Sequence, residues 1–408
     1  MKHRSKVQNR RSKSISRRTK VASGKQSFSP QNTVANTSVA NTSAANTSAA
    51  NSPEPPTEAS LSGIAGIDIG DKRCHLRLIN FDGELIDETQ LATRPAALEK
   101  YFRRWPRLRI VIEAGTHSNW IRRMLAGLGH ELLVANPRRL RLIAQSYSKN
   151  DRNDACWLAE LGRTNPELLS PTEPRSAQTE QHRLWLRGRE SMIQARTKLI
   201  NSLRGMAKSQ GLRLGTCGPT KWVSKVRAEC PSELHPALLP LARTIAGLTR
   251  ELRQLDKQLE QLADNVYPAT ARMRQVNGVG ALTALAYVLA LDNDAGRVKR
   301  SRQAGAVVGL RPKQRDSGQS APQLGITKCG DKLLRRLLVQ SAQYQLGPFG
   351  QDSALRQWGL KLAAGTNRRA KRRAVVAVAR KLAVLLHVLW SKEVDYDPFY
   401  GIAPEKAA

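Results

Sequence analysis

Asp151 and Asp154 fall in the run Lys149-Asn150-Asp151-Arg152-Asn153-Asp154-Ala155, in a chain of 408 residues with 67 Lys+Arg against 33 Asp+Glu. Two carboxylates three residues apart share one helix face, with Cβ atoms roughly 5–6 Å apart, and can hold a divalent cation. Most such pairs are solvated surface, so this one needs partners. Gly66-Ile67-Asp68-Ile69-Gly70 sets another acid at the end of a β-branched run, between glycines that leave room for a metal and a phosphate. Val111-Ile112-Glu113-Ala114-Gly115 repeats the arrangement. A carboxylate at a strand end after an apolar run is hard to explain as core. Asp68, Glu113, Asp151 and Asp154 together could bind two magnesium ions, or manganese in their place, about 4 Å apart. Such a pair stabilises the attacking and leaving oxygens at a phosphate. His117 could approach the same site, whereas Trp120 reads as helix packing.

The charge says what such a site would act on. The formal net charge is +34 and the pI about 10.8, which points to nucleic acid. The first 60 residues hold ten Lys/Arg and two Glu, so most of the excess belongs to the rest of the chain. Five scattered cysteines without a C-x-x-C pair argue for a reducing cytoplasm and against a zinc site or a disulfide framework. An unbroken apolar run of about 18 residues is missing, so no transmembrane helix is expected. The basic N-terminus lacks the apolar stretch of a secretory signal.

The elements that must position these acids can be read from pattern. Strands are expected at 64–69, 75–80 and 85–91, with a turn at Phe81-Asp82-Gly83-Glu84. Helix 96–104, strand 108–112, helix 118–128, strand 131–135 and helices 137–146 and 151–162 follow. This is a mixed sheet with helices on its faces, the order of the ribonuclease-H-like fold. Residues 176–208 read as one long helix and 211–236 as a Gly/Cys/Pro-rich interruption. Leu241, Ile245, Leu248, Leu252, Leu255, Leu259, Leu262 and Val266 then alternate spacings of four and three, a coiled-coil pattern. It could pair with 176–208 or with a second subunit. The fold class is α/β plus α. A disordered basic tail is expected at 1–62, a nuclease domain at 63–165, a helical coiled-coil arm at 173–268, a mainly α domain at 270–395 and a tail at 396–408.

In the last domain, Val276-Asn277-Gly278-Val279-Gly280 before an apolar helix resembles a helix-hairpin-helix turn, whose backbone amides approach phosphate. Gly278 and Gly280 are candidate contacts on that ground, and tight helix packing explains them equally well. Lys328, Lys332, Arg335 and Arg336 around a basic helix start are further candidates. So are Arg368, Arg369, Lys371, Arg372 and Arg373, ahead of an apolar stretch at Val375–Trp390.

In this order the motifs resemble the DEDD transposases of bacterial insertion sequences, the IS-one-ten group. The matches are GIDIG at 66–70, IEAG at 112–115, KNDRNDA at 149–155, NGVGALTA at 277–284, GLRPKQRDSG at 309–318 and LGITKCGDKLLRRLLVQ at 324–340. The resemblance implies a RuvC-like nuclease domain joined to a transposase domain. It implies a serine that attacks DNA to give a phosphoserine link, at the position of Ser317. The family usually shows paired glycines after the serine, and here Gly318-Gln319-Ser320 follows, so Ser320 stays open as the alternative. Further implied are double-stranded DNA as substrate, a structured non-coding guide RNA as partner, and a bacterial cytoplasm and nucleoid as location. A homo-oligomer joined through the arm is expected as well. Two other readings compete: a RuvC-like junction nuclease using water, and a non-enzymatic nucleic-acid-binding protein.

Overall fold

Strong local signals fold the N-terminal part of the chain. In this computed structural model, residues 61–137, 150–172, 174–318, 320–322, 324–364 and 368–400 are described. The tail expected at 1–62 (all but its last two residues), the helix expected at 137–146 (all but its first) and residues 401–408 lie outside them. The β-branched run makes β1 (Ile64–Ile69), and β2 (Arg73–Ile79) returns beside it. The Asn80 side chain accepts from the backbone N–H of Asp82 and Glu84, an Asx turn completed by Gly83 at φ +92°, and β3 (Leu85–Ala92) follows. Then come α1 (Pro95–Phe102), β4 (Arg109–Glu113), α2 (Ser118–Gly127), β5 (Glu131–Ala135) and α3 (Asp151–Thr164).

The strands form one mixed sheet in the order β3-β2-β1-β4-β5. The first three pair antiparallel, and β4 and β5 run parallel to β1. Alternation along the strands decides which face each side chain joins. Ala65, Ile67, Ile110 and Ile112 pack on Leu98, Phe102, Ile121 and Leu125 of α1 and α2. Ile64 and Val111 face the other way, onto Leu158, Ala159 and Leu161 of α3. Asp68 and Glu113, two residues beyond Gly66 and Val111, therefore also face the α3 side.

α3 lies unusually close to the sheet. A Cβ on Gly66 would come 2.1 Å from the Ala155 carbonyl oxygen and 2.4 Å from the Ala159 nitrogen, and one on Gly162 would come 2.4 Å from Val111 Cγ2. The glycines of GIDIG thus do a different job from the one expected. Gly66 is filled by helix backbone and leaves no room for a ligand. Gly70 closes the β1–β2 turn, where a Cβ would meet the Arg73 oxygen at 2.4 Å.

The long helices α4 (Ala177–Ser209) and α6 (His235–Val266) form the next layer. They run antiparallel, because His182 meets Tyr267, Arg189 meets Asp256 and Arg196 meets Thr249. Ile245, Leu252, Leu259 and Leu262 of the heptad pattern are buried, while Val266 is 39% exposed. The pattern is therefore used, at least in part, within one chain. The interruption contains α5 (Trp222–Glu229), whose Trp222 and Val226 close a small core with Leu203, Leu238 and Ile245.

The C-terminal part consists of α7 (Ala269–Arg274), α8 (Ala281–Ala290), α9 (Ala304–Val307), α10 (Lys332–Leu346), α11 (Ala354–Ala363) and α12 (Arg368–Ser391). α8 is apolar on every side and is buried among Leu338, Leu382 and Leu386. Leu186, Leu259 and Leu262 of the two long helices join the same core and root them in it. By length and composition α12 is apolar enough to cross a membrane, although Arg380 and Lys381 break its apolar run. Its Val378, Ala379, Leu382 and Leu386 are fully buried in this core.

Gly66→Ala should destabilise the chain by about 3 kcal/mol or more, since the clash is with backbone that no rotamer change relieves. Gly115→Ala, where a Cβ meets nothing within 4 Å, should change stability little. Urea unfolding of both variants checks this, and equal midpoints would refute the packing argument.

Candidate active site

Helix α3 begins where its first turn meets the sheet edge formed by the ends of β1 and β4. The Asn150 side chain caps it by accepting from the Asn153 N–H at 2.7 Å. Asp151 and Asp154 occupy the first turn, where the helix dipole favours carboxylates. That alone could explain them as helix-start residues. What goes beyond it is their direction. Because Gly162 packs near Ile64 and Ala155 near Gly66, the first turn of α3 lies beside Asp68.

Charge reports the result. Asp68, half-buried, has its carboxyl pushed up to about 6, first by burial and then by the charges of Asp151, Asp154 and Glu113. The three parallel-paired positions before it place Ala65, Gly66 and Ile67 beside Ile110, Val111 and Ile112, so Asp68 and Glu113 are next in register. Glu113, Asp151 and Asp154 thus lie within electrostatic reach of Asp68. Among the described residues, no three His, Cys, Asp or Glu side chains stand close enough to hold a metal ion as they are placed. Asp151 is 72% exposed at its side chain. What would suit a cation here is the chemistry of the donor set: Asp68 feels the charges of Asp151, Asp154 and Glu113, a conflict that a cation would relieve.

Two residues of the site escaped the sequence. His75 pairs with Asp68 across the β1–β2 ladder, its Nε2 lies 3.9 Å from Asp151 Oδ2, and it contacts the Gln90 amide at 2.8 Å. A positive charge on this ring would act on Asp68 in the opposite sense to the acids. Only the strand register could have found it. Arg152, between the two acids, donates two bonds to Glu88 of β3 at 2.7 and 2.6 Å and so ties the start of α3 to the sheet. This pairing holds the Glu88 carboxyl below the usual range. Arg109 holds the other end, donating to the Gly162 carbonyl and to Glu131. His117 has other partners. Its Nδ1 accepts from the Trp120 indole at 3.1 Å and its Nε2 lies 3.5 Å from Asp71.

Ser317 is placed on the C-terminal part. The segment from Arg311 to Thr327 folds back on itself, Thr327 donating to Arg311 and Lys313 to Gly325. At its tip Ser317 and Ser320 exchange backbone bonds at 3.1 and 3.0 Å, with Gly318 at φ +54° between them. Both serines are exposed. No hydrogen bond or ion pair joins Ser317 to the four acids among the described residues.

The expected phosphate contacts divide into two groups. Gly278, at φ +81°, packs against Tyr344, where a Cβ would come within 3.0 Å, while Gly280 is open in front of α8. Arg335 donates to the carbonyls of Val308 and Cys329, and Arg336 forks onto Glu190 of α4, so both guanidiniums are engaged in the fold. Lys328, Lys332, Arg368, Arg369, Lys371, Arg372 and Arg373 are exposed.

The sign of the Asp68 shift sets a stability test. Its folded value of about 6 lies above the ordinary carboxylate value of 3.8, so its ionised form costs the fold stability. That cost is full above pH 6, shrinks as pH falls, and is gone below about 4. Asp68→Asn should therefore melt at a higher temperature than wild type at pH 8 in chelator, with the gap closing by pH 4. A gap independent of pH would sink this account.

Comparison with known proteins now places the chain. A family model for the DEDD transposase of IS110 elements matches residues 65–209, and one for transposases of the IS116/IS110/IS902 family matches residues 270–354. Together they span more than half of the 408 residues. The chain is 29% identical over 294 residues to the transposase for insertion sequence element IS1111A of Coxiella burnetii, covering 70% of this chain and 79% of that one. It is 26% identical to a "Probable family 20 transposase" of Pseudomonas aeruginosa, covering 82% and 98% of the two chains. The transposase for insertion sequence element IS1328 of Yersinia enterocolitica is 26% identical, with 72% and 87% covered. The first model covers the acids and the second covers the serine hairpin, and a chain carrying both in this order belongs to the IS110 group of insertion-sequence transposases and is a DNA transposase.

Proposed function

We propose that this transposase breaks and rejoins DNA strands through a phosphoserine link at Ser317, in a reaction that needs divalent metal. The observation that carries the reading is the gathering of Asp68, Glu113, Asp151 and Asp154 at one end of the sheet, with Asp68 pushed up to about 6. The helix dipole accounts for Asp151 and Asp154 at a helix start, but not for Asp68 and Glu113 at strand ends within electrostatic reach of them. Two magnesium ions, with manganese as a substitute, would supply charge stabilisation at the phosphate there. Those four acids would hold them, with Arg152 fixing the helix that carries two of the four.

Ser317 supplies the nucleophile. Its Oγ bonds phosphorus as the strand's P–O bond breaks, its proton passes to water, and the freed strand end takes up a proton. The phosphoserine keeps the energy of the broken bond, so a strand hydroxyl can later attack it and restore both the DNA and the serine. The hairpin position suits this role, because Ser317 is exposed at a loop tip where a strand can reach it. Assembly of two or more copies brings Ser317 and the acids to one strand, with the long α4–α6 helices as the coiled-coil arm that joins the copies. A structured non-coding RNA, paired with donor and target DNA, supplies sequence choice. It suits a basic chain with only 5% aromatic residues.

That no hydrogen bond or ion pair joins Ser317 to the acids among the described residues favours a second reading, a nuclease in which water attacks and the C-terminal part only binds DNA. A labelled duplex incubated with the transposase, its RNA and magnesium separates the two on a denaturing gel. The proposed mechanism gives a protein–DNA adduct. Ser317→Ala and Asp154→Ala should each reduce it by at least about a thousandfold, and chelator should abolish it. An adduct that survives Ser317→Ala but not Ser320→Ala moves the nucleophile to Ser320. A nick with no adduct establishes the water reaction.

A further inference from the structure

Beside the serine hairpin lies a groove of about 1460 Å³, walled by Pro312, Lys313, Gln314, Asp316, Pro322 and Leu324 on one side and by α11 and α12 on the other. It is larger than the roughly 300–1,000 Å³ of a small-ligand pocket, and Asp316, the residue before Ser317, lines it. Its lining is of two kinds. Eight Lys or Arg side chains stand against two Asp, among them Arg302, Lys313, Arg369, Arg372 and Lys381. Its floor is apolar, with Leu355, Trp358, Val384, Val388 and Tyr396 all only half-buried, and Tyr400 at the rim is 85% exposed. Val384 and Val388 are one turn apart on α12, so they present a continuous strip.

A duplex would use the cations but not the floor, because its bases are stacked inside and its outside is phosphate and sugar. An unpaired strand offers both: phosphates for the cations and flat base faces for Trp358, Tyr396 and Tyr400. The Trp358 ring already carries the Lys381 ammonium 3.8 Å from its centroid, which joins the two kinds of lining at one point. Residues 401–408, which follow Tyr400, hold one Glu and one Lys and so do not complement a groove with this charge.

We infer that this groove binds an unpaired segment of the DNA strand next to the bond that Ser317 attacks. The inference rests on the proposed phosphoserine reading for its location, and on the groove's own chemistry for its ligand. Local melting of the DNA would then be part of recognition, since a strand must leave its duplex before its bases can reach the apolar floor.

The test uses the full chain and compares fluorescence anisotropy of a labelled single-stranded DNA, the same sequence as duplex, and the same sequence as single-stranded RNA, at fixed salt. Tyr400→Ala removes an exposed side chain and leaves the core intact. It should weaken single-stranded DNA binding about tenfold and leave duplex binding unchanged. Trp358→Leu should act in the same direction. Arg372→Ala should weaken both forms, because it removes a phosphate contact. Equal loss for single strand and duplex in Tyr400→Ala overturns the proposal, as does no loss. A tenfold preference for RNA overturns the assignment to DNA. A gain of single-strand binding on removing residues 401–408, with Tyr400→Ala silent, shows that the chain's own end fills the groove and also overturns it. These readouts do not depend on the adduct. A single-strand preference without an adduct overturns the phosphoserine mechanism alone, and an adduct without the preference overturns this inference alone.

Discussion

Everything at the acid cluster depends on backbone touching backbone where α3 crosses β1. Side chains normally hold a helix away from a sheet. Here Gly66 and Gly162 remove them, and the Ala155 carbonyl and Ala159 amide sit where a Cβ of residue 66 would be. The first turn of the helix is thereby lowered to the level of the strand ends, within electrostatic reach of Asp68 and Glu113. The scaffold does not need the acids for its own stability. It is held by apolar contacts of Ile64, Val111 and Leu158, and at the two ends of the helix by Arg152 and Arg109. A site built this way can be internally repulsive while the fold stays intact, the usual condition of a preorganised cluster.

The positive charge has two roles that composition cannot separate. Several arginines work inside the fold. Arg123 pairs with Glu180 and Arg122 donates to the Arg175 carbonyl, which ties α2 to the start of α4. Arg183 pairs with Asp331, Arg336 with Glu190, and Arg297 with Asp292, whose carboxylate also accepts from Ser176. These contacts fasten the sheet domain, the base of the long helices and the C-terminal core to one another. Arginine suits such joints because its planar fork meets a carboxylate at two points. The exposed cations stand elsewhere, at the start of α12, along the serine hairpin and along the long helices α4 and α6. The total of 67 Lys+Arg is thus a sum of joints and binding surface.

This division marks how far the residues could be read without coordinates. The five strands and α3 were legible because period and turn chemistry are local. β-branched runs, the Phe81-Asp82-Gly83-Glu84 turn and the capped start at Asn150 each act within a few residues. The four acids were legible because each ends an apolar run or opens a helix. His75 was not, since its approach to Asp68 and Asp151 is set by strand register. Gly66 was read as making room for a ligand, and it makes room for a helix 90 residues later. Arg335 and Arg336 looked like the basic face of a helix, but their partners Val308 and Glu190 lie far off in sequence. Trp222, in a stretch read as an interruption, closes a core. Non-local partners decided every one of these cases.

The placement of the two reactive elements has a consequence for control. A serine hydroxyl at ordinary acidity is a poor nucleophile, and Ser317 is exposed on a loop. The acids, for their part, have no nucleophile among them and repel one another until a cation and a phosphate arrive. On the proposed mechanism neither half can cut DNA alone, and only an assembly that brings hairpin, acids, metal and strand together can. On that mechanism the division of the parts is protective. It makes cleavage conditional on a complete complex, so the basic surface can bind DNA widely while the chemistry stays confined to correctly assembled sites.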